Sequence, residues 1–332
     1  MTNTMQSLYI EENFTSPEQI KLALKTLNSP QLEPDECLIK VVSAGVNQSD
    51  ALATIGYFNH AILPRIPGRD FAGIVIAGKE EHVGKKVWGS GGAAGIEFNG
   101  THCEYIKIPA SAIAEIPDNL DTILAGAQTL PYLTAYYGLV PRGNIKAGET
   151  ILITGALGQV GFAAMSISRW KGCNCIALVH SKEDKQAAIE LGWKAVESSA
   201  DNLSATILAL NNGKKIDVIF NSLGNLLWDN YISILAEFGR IITIGAKPGN
   251  REAMVNLFEL YRANQTIIGI NSVHLDFVEN ALLLNEMRSG FIDGSLLPLN
   301  ISPETTFSLD HASEAYQLVL AGSGGRRVVL TM

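Results

Sequence analysis

The chain has 332 residues, more than one domain ordinarily holds, and its 47% hydrophobic and 17% charged composition suits a globular protein of two domains. A formal net charge of -8 without a long Lys/Arg run argues against a basic nucleic-acid-binding surface. No apolar run reaches membrane-spanning length, "MTNTMQSLYIEENF" lacks the basic-then-apolar order of a signal peptide, and four cysteines make no disulfide scaffold, so a cytoplasmic protein is expected.

Residues 1–126 read as a β-rich domain, in which "CLIKVVSAGV", "FAGIVIAG", "KKVWGS" and "CEYIKIPA" are separated by Gly and Pro. The texture changes at 127. "AGAQTLPYLTAYYGLV" is helix-like, and strands then alternate with helices: "TILITG", 160–170, "CIALVH", 182–191, "KAV", 201–211, "DVIFNS", 226–237, "RIITIGA" and "TIIGINSV". Six strands separated mostly by helical patterns predict a doubly wound parallel sheet over 127–271, an α/β architecture. The rest, 272–332, holds a helix at 275–289 and a last strand, "RRVVLTM", and is too short for a domain. It is expected to rejoin the β-rich part.

The first of these strands runs into "ITGALGQVG", where Gly155, Gly158 and Gly161 lie three residues apart before a helical pattern. A strand, a glycine turn and a helix N-terminus point backbone N–H groups and a positive dipole end at an anion. The three glycines would supply the turn, the close approach of a pyrophosphate and the helix–strand packing, so a dinucleotide is expected. No Lys-[ST] pair follows, which argues against a nucleoside-triphosphate loop. The second strand ends in "VHSKEDK", where an NAD enzyme usually carries an acid for the ribose hydroxyls. Ser181 and Lys185 there suit a 2′-phosphate, and NADP is the expected cofactor. Ser181 also reads as a helix N-cap with Asp184 three residues on, and the two roles are compatible.

The segments "SAGVNQSDAL", "LPRIPGRDFAGIV", "IPDNLD", "LPYLTAYYGL", "ITGALGQVG", "FNSLG" and "GRIITIGA" span most of the chain. In their order the chain resembles the medium-chain dehydrogenase/reductase superfamily, specifically its zinc-free quinone oxidoreductase and enoyl reductase branch. "NQSDALA" and "IPGRDFAG" are also similar to the acrylyl-CoA reductase group. The resemblance implies a GroES-like β-rich substrate domain joined to a Rossmann domain. In the zinc alcohol dehydrogenases of this superfamily a Cys lies in the first segment and a His follows the glycine of the second. Here those positions hold Asn47 and Arg69, whose amide and guanidinium do not replace a thiolate and an imidazole on zinc. No metal is expected. Without a Lewis acid to hold charge on one oxygen, the suitable substrate delocalises incoming charge itself, as quinones and α,β-unsaturated carbonyls do.

By the same resemblance, Asn47 and Thr134 would contact the nicotinamide ribose or carboxamide, and Gly158, Gln159 and Val160 the pyrophosphate. Ser181 and Lys185 would take the 2′-phosphate, with Asn221 and Ser222 near the adenosine. Gly245, Ala246, Lys247, Asn271 and Ser272 would close around the nicotinamide, and Arg326 would reach in from the C-terminal segment. Turn or capping chemistry is the competing reading for the polar residues, Asn221 and Arg326 above all. Tyr57 falls where related enoyl reductases carry a tyrosine that orients substrate or donates a proton, against the alternative of a packed aromatic. Asp50 and Asp70 read as structural partners of backbone or Arg69. The implied activity is NADPH-dependent reduction of a small-molecule electron acceptor, a quinone or small enone. The alternatives are an enoyl-CoA reductase of the acrylyl-CoA kind and a non-catalytic NADPH-binding or sensor protein. The resemblance also implies a homodimer through the outer strand of the nucleotide sheet, "QTIIGINSV", which is apolar and uncharged from 265 to 273.

Overall fold

A computed structural model describes residues 3–246 and 249–332, and the chain divides into two compact units. Unit 1 takes the residues up to Leu133 together with 272–294 and 298–332, and unit 2 takes 134–271 with 295–297.

In unit 1, β1 (Thr4–Tyr9) pairs antiparallel with β2 (Ala23–Asn28). The ten-residue β3 (Glu36–Gly45) is followed by α1 (Gln48–Thr54), β4 (Asp70–Ala77), β5 (Lys86–Ser90), β6 (Tyr105–Pro109) and α2 (Thr122–Gly126). Length lets β3 serve several partners: β6 pairs with its first half, and β4 runs antiparallel along it from Leu38 to Ser43. The unit boundary falls within α3 (Thr129–Tyr137).

Unit 2 alternates strands and helices: β7 (Thr150–Thr154), α4 (Gln159–Trp170), β8 (Asn174–Val179), α5 (Lys182–Glu190), β9 (Lys194–Glu197), α6 (Leu203–Leu210), β10 (Ile216–Asn221), α7 (Trp228–Ser233), β11 (Leu235–Thr243), α8 (Leu257–Arg262) and β12 (Thr266–Gly269). The six strands are all parallel in the order β12-β11-β10-β7-β8-β9, which is the doubly wound Rossmann arrangement. β7 is buried along its whole length, as a strand covered by helices on both faces must be. Leu152, Ile176, Ile219 and Ile241 pack with Ile207, Trp228 and Tyr231 in one core.

The chain then returns to unit 1 through α9 (Phe277–Ile292), β13 (Thr306–Ser308), α10 (Ala312–Ala321) and β14 (Val329–Thr331). β14 runs antiparallel to the end of β3, with Leu330 opposite Ala44, and β13 lies parallel to β14. Among the described residues no helix is long and apolar enough to cross a membrane.

Two expected elements are shorter than their patterns. The helix expected at 226–237 ends at Ser233, because Leu235 already pairs with Ile216 of β10. The register breaks between Ile216 and Val218, and Phe238, at φ 57°, sits in the extra loop of β11. Sheet pairing overrides the helical propensity of "LAE". The strand expected at 265–273 is confined to β12, and Ser272–His274 form a 3₁₀ turn.

His102, between β5 and β6, is fully buried in unit 1. Its Nδ1 lies 2.8 Å from the Tyr316 hydroxyl and its Nε2 3.4 Å from the Gly45 carbonyl. A neutral ring protonated on Nε2 satisfies both, since the carbonyl must accept and the hydroxyl can donate. Burial lowers its pKa from 6.5 to about 4, against the upward pull of the Gly45 carbonyl and Asp70; Arg327 pushes it down further. Folded protein therefore holds the ring neutral where the unfolded chain protonates it. The stability this supplies is complete above pH 6.5 and falls as the pH drops from 6.5 to about 4. Across that window wild type should lose about 3 kcal/mol relative to His102→Gln, a comparison that cancels the other titrating groups. Denaturant unfolding at a series of pH values checks this, and parallel curves would refute it.

Candidate active site

The glycine loop leaves the carboxyl end of β7. Gly155 takes φ 59°, a left-handed turn that suits glycine, and its carbonyl accepts the Gly158 N–H at 2.9 Å. A Cβ on Gly161 would lie 2.1 Å from the Gly155 carbonyl oxygen, so the third glycine lets α4 approach the turn. Gly158 is the N-cap of α4 and no side chain caps the helix there. A twelve-residue helix thus presents its positive end at an exposed glycine turn, a fit for the pyrophosphate of a dinucleotide. Gly155, Gly158, Gln159 and Val160 all belong to this loop and first turn.

The neighbouring strand ends complete the rim. Ser222, after β10, donates from its hydroxyl to the Thr154 carbonyl at 2.9 Å and from its N–H to the Thr154 hydroxyl at 2.8 Å, which places it beside Gly155. Ser181, after β8, is the N-cap of α5: its oxygen accepts the Asp184 N–H at 3.1 Å, and its hydroxyl hydrogen-bonds the Glu183 carboxylate, whose pKa is lowered by that acid's own backbone N–H and by this bond. Lys185 is half-buried one turn along. Gly245 and Ala246 follow β11 and Asn271 follows β12, at the same carboxyl ends of the strands, where ligands of such sheets bind. Lys247 lies outside the described residues.

Asn221 takes up the turn chemistry that the sequence offers as its competing reading. It is fully buried, its amide donates to the Gly224 carbonyl at 2.8 Å and its oxygen accepts the Leu223 N–H at 3.0 Å. It closes its own turn and so shapes the rim from behind.

Within unit 1, the positions expected to replace zinc ligands join a buried ionic cluster. Asn47 Nδ2 donates to Asp50 Oδ2 at 3.0 Å and to Asp70 Oδ2 at 2.9 Å, which engages both amide protons. Its oxygen accepts from Arg327 at 2.8 Å, and Arg327 pairs with Asp70 Oδ2 at 2.7 Å. The Arg327 guanidinium also donates to the carbonyls of Ala127 and Val46, both at 2.6 Å. Arg69 sits beside Asp50, with Nε 3.5 Å from Oδ1, and donates to the Gly92 carbonyl and the Ser49 hydroxyl. Burial pushes both carboxyls up, while Arg69 beside Asp50 and Arg327 beside Asp70 pull the other way.

Asn47 is almost fully buried, with its amide engaged at both ends within this cluster. Arg326 lies on the surface 3.9 Å from Glu304, whereas its neighbour Arg327 is fully buried. The sequence signal was charge balance, because two buried acids need a second cation besides Arg69. Thr134 is largely buried within α3, and Ser272 opens the 3₁₀ turn after β12. Tyr57 is half-buried in the loop after α1, its ring edge-on to Phe58 at 5.2 Å.

Residues 33–118 match the alcohol dehydrogenase GroES-like domain family, and 160–285 match the family described as zinc-binding dehydrogenase. A zinc-type alcohol dehydrogenase-like protein of Schizosaccharomyces pombe is 32% identical over 95% of this chain and 94% of its own. The quinone oxidoreductase of Sus scrofa is 30% identical over 96% and 95%. The chain belongs to the medium-chain dehydrogenase/reductase family. It is an oxidoreductase of that family, served by a nicotinamide cofactor. The Escherichia coli quinone oxidoreductase, solved in complex with NADPH, shares the fold at a TM-score of 0.80 and 21% identity, over 98% of this chain and all of that one.

Despite the family description, the donor chemistry here does not suit zinc. An engaged amide stands at one expected ligand position, and a guanidinium paired with a carboxylate stands at the other.

Gly161→Ala should abolish nucleotide binding, since the new methyl meets the backbone of Gly155 and Ala156. Fluorescence titration with NADPH checks this. Retained affinity would mean that the loop is not the phosphate site.

Proposed function

We propose that this protein is an NADPH-dependent, metal-independent reductase of quinones or small α,β-unsaturated carbonyls. The observation that carries the reading is the replacement of a zinc-ligand set by the Asn47–Asp50–Arg69 cluster. A substrate that spreads negative charge over a conjugated system needs no Lewis acid. When bound, the nicotinamide supplies the hydride. The chain's own residues then orient the acceptor and deliver a proton, and Tyr57 is the candidate donor, a half-buried tyrosine on the loop after α1.

Two features support NADPH over NADH. No acid stands at the end of β8, where His180, Ser181 and Lys182 follow Val179, and Lys185 adds a half-buried cation one turn on. Cytoplasmic residence belongs to the same reading and is supported by four free cysteines, three of them buried. The enoyl-CoA alternative would want cations for the phosphates of the substrate. The loops at 55–66 and 91–100 carry only His60, Arg65 and Glu97 besides Tyr57 as ionisable side chains, and Arg65 is buried against backbone carbonyls.

NADPH should bind more tightly than NADH, and Lys185→Ala should weaken NADPH alone by about 1.5–3 kcal/mol. Equal affinities would remove the cofactor assignment. NADPH oxidation compared across a benzoquinone, a 2-alkenal and acryloyl-CoA tests the acceptor. Turnover confined to the thioester would establish the CoA alternative, and binding without turnover of any acceptor would establish a non-catalytic protein.

A homodimer through β12 is part of the proposal. β12 ends the sheet, Ile267 is 41% exposed, and α8 beside it in sequence buries none of its residues while exposing Leu257, Phe258 and Tyr261. An open apolar strand edge of this kind is blunted by pairing with its own copy. Wild type should sediment as a dimer and Ile268→Lys as a monomer. A wild type that stays monomeric at micromolar concentration would end this assignment.

A further inference from the structure

Two loops of unit 1 form a rigid lip with an apolar edge. Residues 55–66 follow α1, and residues 91–100 follow β5. The Ile62 N–H donates to the Ile96 carbonyl at 2.8 Å, and the Ile66 N–H to the Asn99 side chain at 2.9 Å. Between them lies Arg65, only 1% exposed, whose guanidinium donates to Gly95 O at 2.7 Å, Ala53 O at 2.9 Å and Ile62 O at 3.0 Å. One buried cation therefore fastens α1 and both loops. At the rim, His60 Nε2 lies 3.9 Å from Glu97 Oε1.

This fastening holds large apolar side chains out in solvent. Ile62 is 53% exposed and Phe98 50% exposed, one on each loop. A chain of rings leads back from the rim: Phe58 stands 5.7 Å from His60 and 5.2 Å from Tyr57. Single exposed hydrophobics are ordinary, but here two stand on backbone pinned by a buried guanidinium, in continuity with the candidate proton donor. The lip also offers no free cation, and Glu97 would repel a phosphate.

We infer that Ile62 and Phe98 set acceptor specificity, holding an apolar substituent of an acceptor whose carbonyl lies at Tyr57. The inference rests on the reading that Tyr57 faces the acceptor, and it deepens that reading from a small acceptor to one with an uncharged alkyl or prenyl-like tail. A tail that leaves water for a half-open lip gains part of the full methylene burial energy, which gives on the order of twofold in affinity per added methylene.

The experiment uses 1,4-benzoquinone and its 2-alkyl derivatives from ethyl to octyl with NADPH. Binding of the matching hydroquinones, measured by calorimetry, gives a readout independent of turnover. Wild type should show kcat/KM and hydroquinone affinity rising about twofold per methylene. Ile62→Ser and Phe98→Ser, both surface positions, should flatten the rise while turnover of unsubstituted benzoquinone stays unchanged. Turnover of benzoquinone with no dependence on chain length, or with an unaltered dependence in both variants, overturns the inference and leaves the reductase reading standing. Absence of turnover with every acceptor overturns both.

Discussion

The pairing of Arg327 with Asp70 is the interaction on which unit 1 depends. It joins residues 257 apart in sequence, deep in a region that excludes water. Burying a charge is very unfavourable unless it is paired and its remaining donors are satisfied. Arg327 meets that condition with two carbonyls, an amide oxygen and a carboxylate. Asn47 extends the pair to Asp50, and Asp50 extends it to Arg69, so two cations balance two acids around one amide. The start of α1, the start of β4 and the approach to β14 are held together by it. This ionic cluster gives the sheet its C-terminal strand, for β14 pairs with β3 only two residues beyond Arg327.

The same cluster has a chemical consequence. Positions that carry a thiolate and an imidazole in zinc relatives are here committed to internal hydrogen bonds. The polar groups at these positions pair with one another inside unit 1. Unit 2 follows a separate logic, in which six parallel strands bring backbone and small polar side chains to one sheet edge. The glycine turn, Ser181 and Ser222 all lie at carboxyl ends of strands, as a doubly wound sheet requires of a nucleotide site. Three polar residues at strand ends behave differently despite similar positions. Ser181 caps a helix, Ser222 ties two strand ends, and Asn221 closes a turn.

What the sequence determined by itself was local. The alternation of apolar strands and helices from 150 onward, and three glycines spaced to turn and approach an anion, are encoded within short windows. The six-stranded parallel sheet and the glycine turn at its first strand were therefore legible. The ends of α7 and β12 were not, since pairing with a neighbouring strand decided them and "LAEF" reads as helix in isolation. The partners of Asn47 and the burial of Arg327 were illegible for a stronger version of the same reason. Whether an amide is free, or which of two adjacent arginines turns inward, depends on partners as much as 280 residues away. Only the tertiary structure brings Asn47, Asp70 and Arg327 within hydrogen-bonding distance, and burial then makes their mutual pairing obligatory.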